Sequence, residues 1–222
     1  QELRLLERIA SCGIFKDPKK PKAWVQLHTS AAPESLPEGG GTSKRNVVEA
    51  DTAESIVKQL VARGIPPNTI SIVTMYAAQD KEIRARILPC TQLQGVKVGT
   101  IDSYQGKEDD IIIFLTTRST GRSGSFLCNP HRINVMLSRH KLGIIGIGTE
   151  AMLHCHPHWP EIIADFSEGG LNPNIHIDHS PVNAPSKATE AQVNCVSMLC
   201  PLCVSHKAQK MFHTKDLKQI AP

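Results

Sequence analysis

Aromatic residues are scarce in this chain: five Phe, two Trp and two Tyr, 4% of 222 residues. Any core must therefore be mostly aliphatic, and a hydrophobic content of 40% is enough to build one. No apolar run reaches the ~18 residues of a membrane-spanning helix, and no basic-then-apolar leader opens the chain, so neither a membrane span nor a secretory signal is expected. A strong excess of one charge is also missing. The 25 Lys and Arg against 21 Asp and Glu leave +4, which permits nucleic-acid contact without demanding it. No Gly-x-x-x-x-Gly-Lys-Ser/Thr loop occurs, so the sequence holds no phosphate cradle of that type. The seven Cys are odd in number and scattered; without a leader, reduced thiols of a cytoplasmic or nuclear protein are expected. The chain opens on Gln1 inside a helical pattern, and a piece of a longer protein is expected.

Strand-like and helix-like segments alternate. Glu2–Cys12 has a helical pattern, Lys16–Lys22 is a Lys/Pro stretch, and Trp24–His28 reads as a short strand. The stretch is a candidate basic patch for RNA, although a solvated linker is the commoner outcome. Ser30–Thr42, rich in Pro, Gly and Ser, reads as a loop. Asn46 is placed to cap a helix in capping-box style with Glu49, and an apolar stripe through Ala53, Ile56, Val57, Leu60 and Val61 carries that helix to Gly64. Ile70–Met75, Val96–Ile101, Ile111–Thr117 and Leu142–Gly148 read as strands. Ala77–Leu88 and Asn129–Arg139 read as helices, and Ala151 to about Phe166 as a looser helix interrupted by Pro157 and Pro160. This alternation predicts a parallel, doubly wound α/β sheet. After Ser167 the period is lost and a poorly ordered tail is expected. The expected division is a helix and linker over 1–40, a domain over 41–166, and a tail over 167–222.

Two segments carry the chemistry. Val98–Asp110 holds a turn, Gln105-Gly106-Lys107-Glu108, in which glycine lets the backbone approach a ligand and a carboxylate stands beside it. Asn129–Lys141 is a helix ending in Arg139, His140 and Lys141. On spacing alone, the turn is an ordinary tight turn and Arg139 a helix-end cation favoured by the macrodipole. Together, the two segments suit phosphate chemistry at the edge of an α/β sheet.

The pair resembles motifs V and VI of the second RecA-like domain of superfamily 1 helicases, in the nonsense-decay and senataxin-like group. Val98–Phe114 is similar to that family's Val-Asp-x-Phe-Gln-Gly-x-Glu-x-Asp. Phe126–Lys141, preceded by Gly124, is similar to Gly-Phe-Leu-x-x-x-x-Arg-x-Asn-Val-Ala-Leu-Thr-Arg-Ala, with Leu127, Arg132, Asn134, Val135, Leu137 and Arg139 at or next to the expected places. Asn46-x-x-Glu49-Ala50 and Ile72–Gln79, with Met75 for Pro, resemble two further family segments, so the likeness covers about 41–155. The resemblance implies a RecA-like, P-loop NTPase-type fold and use of ATP and Mg²⁺. It implies an arginine finger at Arg139, with Gln105, Gly106 and Glu108 facing the nucleotide. Thr100, Asp102 and Ser103, with Thr116, Thr117 and Arg118, would lie along single-stranded RNA or DNA. The implied partner is a first RecA-like domain carrying the phosphate loop and the Asp-Glu pair for Mg²⁺, both missing here. The family's Gln-Tyr-Arg-Met is also missing from Gln1–Thr42, and motif VI departs at Ser138, His140 and Lys141.

The expected function is the C-terminal half of an ATP-dependent helicase core, inactive alone. The alternative is a non-catalytic nucleic-acid or protein binding module of the same fold. No resident metal is expected. Cys195, Cys200, Cys203 and His206, with His213 beyond, have near-finger spacing but lack a second Cys-x-x-Cys pair and a foldable loop between pairs. His154, Cys155, His156 and His158 are split by Pro157 and read as a surface cluster.

Overall fold

The computed structural model describes residues 2–28, 34–36, 41–120, 127–153, 157–173, 175 and 177. The chain divides into two units, Gln1–Ser180 and Pro181–Pro222. The second unit, with the Cys195–His213 cluster, lies outside the described residues, as do Gly124, Phe126, His154, Cys155 and His156.

Five strands form one all-parallel sheet: β1 (Lys22–Gln26), β2 (Ile70–Thr74), β3 (Lys97–Thr100), β4 (Asp109–Leu115) and β5 (His140–Gly148), in the order β1-β5-β4-β2-β3. The helices are α1 (Glu2–Ser11), α2 (Val47–Ala62), α3 (Ala77–Ile87), α4 (Pro130–Leu137), α5 (Glu150–Leu153) and α6 (Trp159–Gly169). The near-continuous apolar runs of β4 and β5 are what burial on both faces requires. Along β4 the faces alternate. Ile111, Ile113 and Leu115 pack with Ile56, Leu60 and Ile83 of α2 and α3, while Ile112 and Phe114 pack with Ile133 of α4 and Ile163 and Phe166 of α6. The α/β parallel-sheet expectation is therefore met.

The scarce aromatics concentrate on the second face. Phe114 sits with ring centroids 6.1 Å from Trp24, 6.2 Å from Trp159 and 5.9 Å from Phe166. The indole Nε1–H of Trp159 donates to the Leu127 carbonyl at 2.9 Å, so its one polar group is satisfied.

Three local readings change. Pro160 does not interrupt a helix; it occupies the first turn of α6, where its missing N–H costs nothing. The last turn of α6 runs past residue 166, and Leu171 pairs with Phe15, with the Asn172 N–H donating to the Ile14 carbonyl at 2.8 Å. The strand read at Trp24–His28 is β1, which is hydrogen-bonded along its length to β5 and so belongs to the sheet.

Gly146 in β5 lies against the aromatic cluster. A Cβ there would fall 2.5 Å from Phe114 Cζ and 2.6 Å from Trp24 Cε3. Gly146→Ala is expected to lower stability by about 1–3 kcal/mol through overpacking, read as a lower urea midpoint. An unchanged midpoint would mean that the rings yield freely.

Candidate functional site

In a parallel sheet each connection must return from the carboxyl edge to the amino edge. Two such returns lie on the face carrying the aromatic cluster. Residues 101–108 leave the end of β3 and reach the start of β4; α4 lies between β4 and β5 and ends just before β5 begins. Ile101 and Tyr104 are buried and anchor the first return, while Asp102, Ser103 and residues 105–108 are exposed. Gly106 has φ +77, the left-handed turn that glycine adopts without strain. The second return starts cleanly because Asn129 caps α4, its Oδ1 accepting from the N–H of His131 at 2.9 Å and of Arg132 at 3.3 Å, with Pro130 in the first turn.

The two returns are joined at both ends. Near the carboxyl edge, the Arg132 Nε and Nη2 donate to the two oxygens of Asp102 at 2.9 and 3.1 Å. At the amino edge, Arg139 Nη1 donates to the Lys107 carbonyl at 3.2 Å, and the Asp109 N–H donates to the Arg139 carbonyl at 3.0 Å. Between them is a shallow depression of about 220 Å³ lined in part by Gln105, Asn129, Arg132 and Val135.

Arg139 also donates from Nε to the Val135 carbonyl at 3.0 Å and from Nη2 to Ser138 Oγ at 2.8 Å. It therefore caps the helix end, as spacing alone suggests, and it also touches the glycine turn through the Lys107 carbonyl. All of these acceptors are neutral. Among the described residues Arg139 forms no ion pair. Gln105, Gly106 and Glu108 are exposed on the adjoining turn. A guanidinium beside an exposed turn can meet an anion from outside the domain.

The residues expected along a nucleic-acid strand divide into two groups. Thr100 closes β3 and its carbonyl accepts from the Ser103 hydroxyl at 2.7 Å. Asp102 and Ser103 are exposed, with Asp102 paired to Arg132. Thr116 and Thr117 instead are fully buried at the end of β4. The Thr117 N–H donates to Glu49 Oε2 at 2.7 Å, and the Thr116 hydroxyl lies 3.2 Å from Glu49 Oε1. Thr117 takes φ +68, an uncommon backbone state for a β-branched residue, and the bond to Glu49 holds it there. The Arg118 guanidinium pairs with Glu34 at 2.8 Å.

Glu49 is the main residue that sequence reasoning misassigned. The capping box has only its first half: Asn46 Oδ1 accepts from the Glu49 N–H at 3.1 Å, but the Glu49 carboxyl turns into the sheet edge. The Asn46 backbone is taken instead by Gln79, whose amide accepts from the Asn46 N–H at 2.6 Å and donates to its carbonyl at 3.0 Å. Burial pushes the Glu49 carboxyl up to about 8; the Thr117 and Thr116 bonds pull the other way but are outweighed, and Glu34 adds repulsion. A second buried carboxylate, Asp109, behaves oppositely. Burial alone would raise it, but the ammonium of Lys97, the Ser71 hydroxyl at 2.5 Å and the Tyr104 hydroxyl at 2.6 Å hold it below the usual range. Tyr104 stands where the family motif has Phe, and its extra hydroxyl is the only sequence signal for this network.

The fold and these paired segments define an α/β domain of the RecA-like, P-loop NTPase type. A family profile described as "AAA domain" matches residues 7–151. Over 150 residues the chain is 35% identical to "Regulator of nonsense transcripts 1 homolog" of Drosophila melanogaster, covering 60% of this chain and 12% of that protein. It is 30% identical over 177 residues to "Regulator of nonsense transcripts 1" of Caenorhabditis elegans, covering 75% and 16%. It is 32% identical over 161 residues to "ATP-dependent helicase upf1" of Schizosaccharomyces pombe, covering 68% and 17%. The chain belongs to the AAA-domain family and, within it, to the nonsense-decay group of superfamily 1 helicases. It spans less than a fifth of the length of these three relatives. Among the described residues no helix is long and apolar enough to cross a membrane, and no group of three His, Cys, Asp or Glu is placed to hold a metal ion.

The sign of the Glu49 effect is fixed by its direction. Its folded value, about 8, lies above the ordinary 4.5, so the native state holds a proton that the unfolded chain releases. This contribution is fully present below pH 4.5 and is lost as pH rises towards 8. Glu49→Gln keeps an acceptor for Thr117 and removes the titration. Relative to wild type, its urea midpoint is expected to gain steadily from pH 5 to pH 8. A pH-independent difference would show that Glu49 titrates normally.

Proposed function

We propose that this chain is one wall of the ATP cleft in a helicase motor, with Arg139 as an arginine finger reaching a nucleotide held by another RecA-like domain. The observation that carries this reading is the Arg139 guanidinium, held by neutral acceptors beside the exposed turn and left without a counter-carboxylate among the described residues. The likeness to the ATP-dependent helicase of S. pombe supports it.

The residues present fit one side of a triphosphate. Arg139 supplies positive charge where charge develops, and Gln105 and Gly106 face the same cleft, while the Glu108 carboxylate suits a hydroxyl or N–H donor of the nucleotide rather than its phosphates. They do not supply a Mg²⁺ site, which falls to the partner domain with its phosphate loop. Bound ATP supplies the phosphoanhydride whose cleavage drives the cycle. This chain orients and neutralises the phosphate from one side, excludes water with the turn, and passes the state of the cleft along residues 101–108 to the carboxyl edge. There Thr100 and Ser103 offer polar groups to the backbone of single-stranded RNA or DNA, which positions a strand without reading its sequence. Thr116, Thr117 and Arg118 support that edge from behind through Glu49 and Glu34. The domain comprises the sheet and helices around 41–166 together with β1, and its parent works in the cytoplasm or nucleus. Alone the chain does not turn over ATP, because it has no phosphate loop.

The second reading is a non-catalytic binding module of the same fold, in which strand binding ignores both nucleotide and Arg139. The two readings separate on RNA-stimulated ATP hydrolysis by this chain assembled with an ATP-binding RecA-like domain from a nonsense-decay relative. Arg139→Ala is expected to lower turnover on the order of 10³-fold. Equal turnover in both forms, or none in either despite assembly, would leave the binding module standing.

A further inference from the structure

The ion pair between Asp102 and Arg132 ties the exposed part of the 101–108 return to the first turn of α4. We propose that these two residues are positioning residues for Arg139, forming one rung of a strut whose other rung is the Arg139–Lys107 contact. This rests on the reading of Arg139 as the residue that meets the nucleotide.

The geometry has three parts. First, Arg132 and Arg139 are seven residues apart at opposite ends of α4, an eight-residue helix about 12 Å long. Their partners, Asp102 and Lys107, lie on the single 101–108 segment. Each return is therefore fixed to the other near the carboxyl edge and at the amino edge, and α4 cannot slide or turn without straining both contacts. Second, the upper rung is two-pronged. A planar guanidinium that uses both Nε and Nη2 on one carboxylate constrains orientation as well as distance. Third, the charge is wrong for a direct strand contact by Asp102. A carboxylate facing phosphates repels them, whereas here Arg132 neutralises it and the pair presents little net charge to a strand.

Asp102 is well exposed, so the pair contributes little to folding. Its value lies in orientation. A displaced reacting group loses rate steeply with distance, whereas the core does not register the change.

The test uses this chain assembled with the same ATP-binding domain. The variants are Asp102→Ala, Arg132→Ala, the double variant, and the exchanged pair Asp102→Arg with Arg132→Asp, with Arg139→Ala as control. Each single variant is expected to lower kcat on the order of tenfold, with KM for RNA unchanged and the urea midpoint of the chain barely moved. The double variant is expected to be no worse than either single one, and the exchanged pair to recover most of the loss. In the chain by itself, the Arg139 Nε–H resonance is expected to move in both single variants, a readout independent of turnover. If Asp102→Ala tightens RNA binding and Arg132→Ala weakens it at constant kcat, the pair contacts the strand and the strut is wrong. Loss of turnover in Arg139→Ala beside an unchanged kcat in both single variants overturns the strut alone. Full turnover in Arg139→Ala overturns the strut together with the reading beneath it.

Discussion

The parallel pairing of β4 with β5 and β2 is the constraint on which the rest depends. A parallel sheet buries both faces and forces each connection to cross its full height. In this chain the crossings on one face are 101–108 and α4, and they are the two segments that carry the helicase motifs. The motif residues are thus neighbours because β4 lies between β5 and β2, and not because the segments are close in sequence. The hydrophobic energy of Ile111–Leu115 and Ile144–Ile147 places Arg139 beside Lys107, and the polar contacts only refine that placement.

Each end of β4 holds a buried carboxyl group, and the two depart from the usual carboxylate range in opposite directions. Asp109, at the amino end, is met by an ammonium and two hydroxyl donors, enough to favour the charged form. Glu49, at the carboxyl end, is met by one N–H and one hydroxyl, with Glu34 nearby, and the proton stays. Glu49 is the more deeply buried of the two, so it carries the larger desolvation cost as well as the fewer and weaker donors. The amino end, beside Arg139, is pinned by a charged network. The carboxyl end, where a strand is proposed to run, is held by a neutral acid and carries the strained Thr117.

Sequence periodicity located the elements that local burial dictates: β2, α2, α3 and the central part of β4 each fall within a few residues of their expected limits. The two motif segments are legible through their resemblance to the helicase motifs, since on spacing alone they read as an ordinary tight turn and a helix-end cation. Periodicity could not show that β1 seals against β5, since that partner lies more than a hundred residues away and only the register reveals it. Glu49 was misassigned for a related reason. Its spacing from Asn46 satisfies a local capping rule, but the buried N–H of Thr117, 68 positions later, is the stronger claim on its carboxyl. Gln79 filled the vacancy at the Asn46 backbone, so the local motif was completed by a distant residue.

A division of labour follows between what stabilises this domain and what aims it. The aliphatic core and the aromatic cluster around Phe114 hold the sheet and would hold it with many different surfaces. The Asp102–Arg132 pair adds almost nothing to that stability because water competes for both ions. Weakness in stability and strength in orientation are compatible, because a bidentate contact restricts angles that hydrophobic burial leaves soft. The proposed delivery of one guanidinium to a nucleotide held by another domain needs such control at the rim, where the core's close packing no longer reaches. On this view the exposed ion pair and the buried isoleucines answer different demands on the same crossing: the isoleucines bring the segments together, and the pair sets the angle at which Arg139 leaves the helix.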